Sequence, residues 1–123
     1  MLVTMFRVML ASLVVAATAL AADVSGTWNA TVETPAGTGN PTFVLKQEGE
    51  KLTGTYTGML GKADVTGTVK GHKIEFQFEA SYEGQKFTIR YSGTIESPTR
   101  MKGTVRFADM GEGSWTATKQ PPQ

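Results

Sequence analysis

The sequence predicts an all-β protein, an eight-stranded antiparallel up-and-down (meander) barrel that follows an N-terminal signal peptide. Alternation of apolar and polar residues, short turns between the alternating stretches, and a five-residue pattern of apolar, polar, Gly, Thr and apolar residues lead to this prediction. In this pattern the glycine shares the inward face with the apolar residues, where it lets a strand bend as a closed sheet requires. The pattern occurs at Val24–Trp28, Leu52–Tyr56, Val65–Val69, Tyr91–Ile95 and Met101–Val105.

Residues 1–21 have the form of a secretory signal peptide. Arg7 is their only charge, an apolar Ala-rich run extends from Val8 to Leu20, and Ala19-Leu20-Ala21 has the small-x-small form of a cleavage site. The alternative is an uncleaved membrane anchor, but the apolar run is too short to span a bilayer comfortably. We expect cleavage before Ala22, export to the periplasm or the cell exterior, no membrane span after cleavage, and one β-barrel domain over residues 22–123.

The composition excludes several classes of function. Without Arg7, the 12 basic residues become 11 and balance the 11 acidic ones, so there is no electrostatic case for binding nucleic acid. The chain has no Cys, and therefore neither a disulfide nor a thiol nucleophile. Its single histidine, His72, rules out a tetrahedral His/Cys metal site and is expected in a solvated turn. We expect no cofactor.

The first four strands are separated by a loop at 35–41, a turn at Glu48-Gly49 and a connection at 59–62. Each strand alternates inward apolar or glycine residues with outward polar ones. The inward residues are Trp28, Ala30 and Val32, then Phe43 and Leu45, then Leu52, Gly54, Tyr56 and Gly58, and then Ala63, Val65, Gly67 and Val69.

The last four strands follow the same rule, with connections at Gly71-His72, 81–84, 97–99 and 108–112. A turn at 81–84 would place Phe78 opposite Phe87 inside and Glu79 opposite Lys86 outside, both favourable pairs. The inward residues are Ile74, Phe76, Phe78 and Ala80, then Phe87, Ile89, Tyr91, Gly93 and Ile95, then Met101, Gly103, Val105 and Phe107, and then Trp115 and Ala117.

Connections this short allow only pairing between successive strands, and eight such strands can close into a barrel that has no exposed edge. The alternative is a two-sheet sandwich, which would need longer crossover loops.

Three motifs carry a resemblance: Gly26-Thr27-Trp28 opens the first strand, Leu52–Tyr56 lies in the third, and Trp115 lies in the eighth. In these motifs the chain resembles the calycin group of small barrels, and most of all the avidin and streptavidin family. That family binds biotin through an Asn two residues after the Trp, through the Tyr, and through a Ser two residues after the Tyr. Here these positions are Ala30, Tyr56 and Gly58, so the resemblance implies the barrel but not biotin binding.

The interior of such a barrel is either filled by its own side chains or holds one small ligand. The many inward aromatic residues favour filling. Paired inward glycines favour an open interior, and we expect two such pairs, Gly54 with Gly67 and Gly93 with Gly103. Strand bending also explains these glycines.

In a meander, successive connections alternate between the two ends of the barrel. The first, third, fifth and seventh connections are generally longer, and they carry apolar residues that would form a binding rim. We therefore predict an exported, non-enzymatic protein that binds a small, mostly apolar ligand through this end. The predicted ligand-binding residues are Trp28, Tyr56, Met59, Leu60, Tyr82, Tyr91, Met110 and Trp115.

Two other functions are considered. A solid barrel would act through its outer surface as an interaction or envelope-associated module, and an enzyme would need a pair of carboxylates at one cleft. The carboxylates near one end are Glu79, Glu83, Asp109 and Glu112, and we interpret them as charges of a soluble rim rather than as such a pair.

The outer face of the sixth and seventh strands is basic, because it carries Lys86, Arg90, Lys102 and Arg106. It is either a patch for an acidic partner or a solvated surface. The outer faces are otherwise rich in Thr, Lys and Glu, so we expect a monomer.

Overall fold

A computed structural model of the chain describes residues 23–108 and 111–121, with the backbone alone at Tyr82. Within these ranges no helix is long and apolar enough to cross a membrane. The strands are β1 (Gly26–Thr34), β2 (Gly37–Gly39), β3 (Thr42–Glu48), β4 (Lys51–Gly58), β5 (Gly61–Lys70), β6 (Lys73–Tyr82), β7 (Gln85–Ser97), β8 (Arg100–Phe107) and β9 (Glu112–Lys119).

The strands form one closed antiparallel sheet, which confirms the predicted eight-stranded up-and-down barrel. From β3 to β9 each strand pairs with the next, β1 pairs with β3, and β1 also pairs with β9 to close the sheet. The nine segments make eight barrel strands because β2 and β3 continue each other. Both pair with β1 in a single register, seen in Val32 opposite Gly39 and Asn29 opposite Thr42. The interruption falls at Pro41, which has no amide hydrogen to donate.

The connections at the predicted open end are shorter than the sequence suggested. Three of the seven residues of the expected loop at 35–41 form β2, and the turn is Pro35-Ala36. The third and fifth connections are the two-residue turns Met59-Leu60 and Glu83-Gly84. Glycines at positive φ, including Gly37 and Gly61, let the strands pair up to these tight turns.

The predicted register between β6 and β7 is wrong by two residues. Phe78 lies opposite Ile89, and Phe87 lies opposite Ala80. Lys86 lies opposite Ser81 rather than Glu79. The cause is the turn: Glu83 (φ 51°) and Gly84 (φ 80°) both have positive φ, as two-residue type I′ hairpins require. A shift of two residues keeps every side chain on its face, so the apolar pattern could not reveal it.

The inward assignments are confirmed, and the barrel is packed around aromatic rings. The ring of Phe43 lies within 5.1 to 6.3 Å of the rings of Tyr56, Phe76, Phe78 and Tyr91, measured between centroids. This aromatic cluster fills the middle of the barrel.

The end that carries the N-terminal segment is closed. Val24 is buried at this end, with 2% of its surface exposed. The indole Nε1 of Trp28 donates to the carbonyl oxygen of Val24 at 2.9 Å. The side-chain oxygen of Gln47 accepts the amide hydrogen of Val24, also at 2.9 Å. These bonds hold the segment as a plug.

The inward glycines allow close packing rather than leaving open wall. Gly93 lies opposite Gly103 as predicted, but Gly54 lies opposite Val65, so its predicted pairing with Gly67 is wrong. A Cβ on Gly93 would lie 2.8 Å from Cζ2 of Trp115. A Cβ on Gly54 would collide with the carbonyl oxygen of the adjacent strand. Close approach of the neighbouring backbone and space for a large ring therefore explain these residues.

Candidate ligand-binding site

A cavity of about 490 Å³ opens at the end of the barrel opposite the plug. Its rim is formed by the first connection with β2, by the third connection, and by the start of β9. This is the end at which the sequence placed a binding rim. The rim residues are 34–41, Met59, Leu60, Gly111 and Glu112.

The floor of the cavity is made of buried side chains from three strands. Tyr56, Phe78, Ile89 and Tyr91 line it, and each is at most 4% exposed. Nearer to the rim the walls are apolar and partly exposed, and they include Leu60, Phe87 and Phe107. The cavity is thus the unfilled upper part of the same interior that the aromatic cluster fills below.

Leu60 and Gly58 determine the position of the Tyr56 hydroxyl. The hydroxyl oxygen accepts the amide hydrogen of Leu60 at 3.3 Å, which ties the floor to the third connection. Gly58 leaves the room for this hydroxyl, because a Cβ there would lie 2.6 Å from it. The position at which the avidin and streptavidin family has a Ser is therefore filled here by the hydroxyl of Tyr56.

Tyr91 places a second hydroxyl at the floor. Its ring stacks on Phe76, with centroids 4.9 Å apart and planes 10° apart. Burial, and secondly the neighbouring Tyr56, raises the pKa of Tyr91 far above its ordinary value. None of the hydrogen bonds among the described side chains, which leave out that of Tyr82, involves this hydroxyl. Tyr91 lines the cavity, and its protonated hydroxyl can donate a hydrogen bond there.

The structure brings four of the predicted ligand-binding residues together at the cavity: Tyr56, Met59, Leu60 and Tyr91. Met110 and the side chain of Tyr82 lie outside what the structure describes.

The two predicted tryptophans lie below the cavity. Trp28 is 0% exposed in the closed end, and Nε1 of Trp115 donates to the carbonyl oxygen of Thr104 at 3.0 Å. The period of two predicts that a side chain faces inward, but not how deep in the barrel it lies.

Sequence reasoning missed the contribution of the first connection, since residues 34–41 supply much of the lining. It also treated Phe78, Phe87, Ile89 and Phe107 only as core. The Pro- and Gly-rich composition of 35–41 was the available signal, because such a segment can lie close to a ligand. Gly39 shows this closeness: a Cβ there would lie 3.7 Å from the sulfur of Met59.

The cavity holds almost no charge. Glu112 is the only Asp, Glu, Lys, Arg or His among its described lining residues, and its carboxylate forms an ion pair with Arg106. Glu79 and Glu83 are exposed, and Asp109 lies outside the described residues. No group of three His, Asp or Glu side chains that could hold a metal ion occurs in the described ranges. The arrangement suits burial of an apolar molecule with a few hydrogen bonds.

The basic outer face exists as predicted and is partly neutralised. Arg90 lies opposite Arg106 on β7 and β8. Arg106 pairs with Glu112, and Lys102 pairs with Glu96 at 3.2 Å. This partial neutralisation fits a solvated surface, which was the alternative to a patch for an acidic partner.

No protein family and no curated protein matches the sequence, but solved structures share the fold. A redesigned β-barrel is 18% identical, with a TM-score of 0.67 over 80% of this chain and 92% of that one. The redesigned barrel mFAP1, bound to DFHBI, is 19% identical, with a TM-score of 0.59 over 79% and 94%. EF1p2_mFAP2b, also bound to DFHBI, is 18% identical, with a TM-score of 0.56 over 79% and 94%. These similarities support a small β-barrel and do not single out the avidin and streptavidin family.

Proposed function

We propose that this protein is an exported, non-enzymatic binding protein that holds a small, mostly apolar molecule in the cavity opposite the plug. One observation carries the proposal: a barrel whose lower interior is filled leaves about 490 Å³ open above a buried aromatic floor. This volume is within the range of ligand pockets, which are typically about 300–1,000 Å³. It argues against the alternative of a solid barrel that acts only through its outer surface.

Apolar burial supplies the affinity in this proposal. A ligand that buries about 200 Å² of apolar surface gains about 5 kcal/mol, before the entropic cost of association. The hydroxyls of Tyr56 and Tyr91 would orient it. Two structurally similar barrels are bound to DFHBI, which supports the idea that a barrel of this shape can hold a small molecule.

The proposed rim residues are Met59, Leu60, Tyr82 and Met110. Met59 is the most telling of the described ones, because it is 83% exposed and yet lines the cavity. A large apolar side chain left in solvent is well suited to cover a bound apolar ligand. We assign Trp28 and Trp115 to the packing of the barrel instead.

The test replaces Met59 and Leu60 together with Ser and titrates an apolar fluorescent probe. We expect about a tenfold loss of probe affinity, because roughly 50 Å² or more of apolar contact is removed, and a nearly unchanged melting temperature. Val44→Ser is the matched control, because Val44 is 48% exposed on the outer wall away from the cavity. If the wild type binds no probe, or the double variant binds it as tightly, the proposal is wrong.

Export and the monomeric state are part of the proposal and have their own measurements. We expect protein recovered from the periplasm or medium to have the intact mass of residues 22–123. Recovery of a mass that includes residues 1–21 would contradict cleavage. Light scattering should give the mass of one chain.

A further inference from the structure

We propose that the ligand of this cavity is a flat, uncharged aromatic molecule with a hydrogen-bond acceptor at its inner end, and that the Tyr91 hydroxyl donates to that acceptor. The inference rests on the proposed function, because it names the class of ligand for the same cavity. Three properties of the described floor and walls lead to it: the geometry of the rings, one hydroxyl that has no hydrogen bond to a described side chain, and the lack of a charged side chain at the floor.

The floor selects for flat rings. Tyr56, Phe78 and Tyr91 form a row in which the planes of successive rings differ by 17° and 31°, with centroids 4.1 and 6.0 Å apart. Aromatic rings interact best with other rings in offset-stacked or edge-to-face arrangements. A planar ligand can add to this row in either way, whereas a branched aliphatic molecule gains only the area that it buries.

The Tyr91 hydroxyl favours a ligand that carries a hydrogen-bond acceptor. Among the described residues, every side-chain N or O atom that is sealed from solvent has a hydrogen-bond partner. The Tyr91 hydroxyl differs, because Tyr91 lines the cavity and its hydroxyl has no partner among the described side chains, which leave out that of Tyr82. A purely apolar ligand would cut this hydroxyl off from water and leave it unpaired, which penalises such a ligand. A tyrosine hydroxyl keeps its proton at neutral pH and can donate, and burial raises the pKa of Tyr91 further.

The walls select against charge. The one ionised lining residue in the described ranges, Glu112, is at the rim and already paired with Arg106. A charged group at the inner end of a ligand would lose its hydration and meet no opposite charge. A neutral acceptor, such as a ketone or amide oxygen, avoids this cost while it meets the donor.

The test compares 9-fluorenone with fluorene, two flat aromatic molecules that differ in a carbonyl oxygen. We expect the wild type to bind fluorenone about tenfold more tightly, as one good hydrogen bond to a buried donor predicts. Tyr91→Phe should remove this preference. Val44→Ser, on the outer wall, is the control and should keep the preference. Tyr56→Phe removes the other floor hydroxyl and shows which of the two hydroxyls donates. The carbonyl stretching band of bound fluorenone should shift to lower frequency in the wild type, a readout that needs no variant.

The outcomes separate the two proposals. If the wild type binds neither molecule, both the proposed function and this inference are wrong. If it binds both equally, with no shift of the carbonyl band, the cavity takes apolar ligands but the inference is wrong. If the preference survives Tyr91→Phe and disappears in Tyr56→Phe, the donor has been assigned to the wrong tyrosine.

Discussion

The rings of Tyr56 and Phe78 lie 17° from parallel, with their centroids 4.1 Å apart. They come from β4 and β6, which are not neighbours in the sheet, so the contact crosses the interior in front of β5. Ala63, which lies opposite Tyr56 on β5, is small enough to let the two rings meet. This contact marks the level at which packing ends and the cavity begins.

Gly58→Ala should disturb that contact. The new Cβ would lie 2.6 Å from the Tyr56 hydroxyl and 3.2 Å from Cβ of Pro41, so the ring has to move and its bond to the Leu60 amide is lost. We expect destabilisation of about 1–3 kcal/mol in denaturant unfolding. Gly39→Ala is the control, since its Cβ meets only the Met59 sulfur at 3.7 Å; it should change stability by less than about 0.5 kcal/mol. Equal effects would contradict this account.

Trp28→Phe should lower stability without affecting the cavity. It removes the bond from Nε1 to the Val24 carbonyl and part of a ring that is 0% exposed, at a cost of about 1–3 kcal/mol. Under conditions in which the variant is fully folded, its probe affinity should stay within about twofold of wild type, because Trp28 does not line the cavity. A large loss of affinity would contradict this prediction and show that Trp28 contributes to ligand binding.

Tyr91 should make the protein sensitive to alkali. Its pKa in the folded state is raised above the ordinary value of 10.0 by burial, so above that pH the unfolded state loses this proton while the folded state keeps it. Stability from this group is intact below about pH 10 and then falls by up to about 1.4 kcal/mol per pH unit. Denaturant unfolding of the wild type and Tyr91→Phe at several alkaline pH values isolates the contribution. Identical slopes would show that Tyr91 ionises normally.

Biotin should bind weakly or not at all. Ala30, which is 3% exposed, and Gly58 offer no side-chain polar group where the resembled family has one, and each unmet polar group of the ligand costs about 1–3 kcal/mol. Isothermal titration calorimetry measures this directly. Micromolar or tighter binding would show that Ala30 and Gly58 are not the positions that correspond to the biotin contacts of the avidin and streptavidin family.

The sequence was sufficient to predict which side chains face inward, because a period of two is imposed by the strand itself. It did not predict the register of Phe78, because a shift of two residues preserves that period. It did not predict that Glu83 adopts positive φ, since the turn could equally have used four residues. The cavity was harder still: whether Tyr91 is surrounded by rings or faces open space depends on contacts between strands distant in the chain.

The separation of a filled end from an open end bears on how this protein can evolve. Leu60, Phe87 and Phe107 are only partly buried at the rim, so exchanging them removes little of the packing that holds the barrel closed. The plug and the aromatic cluster tolerate far less change. Descendants of this chain can therefore acquire new ligands through rim substitutions while the lower interior stays the same, and shared ancestry would then be no guide to what each one binds.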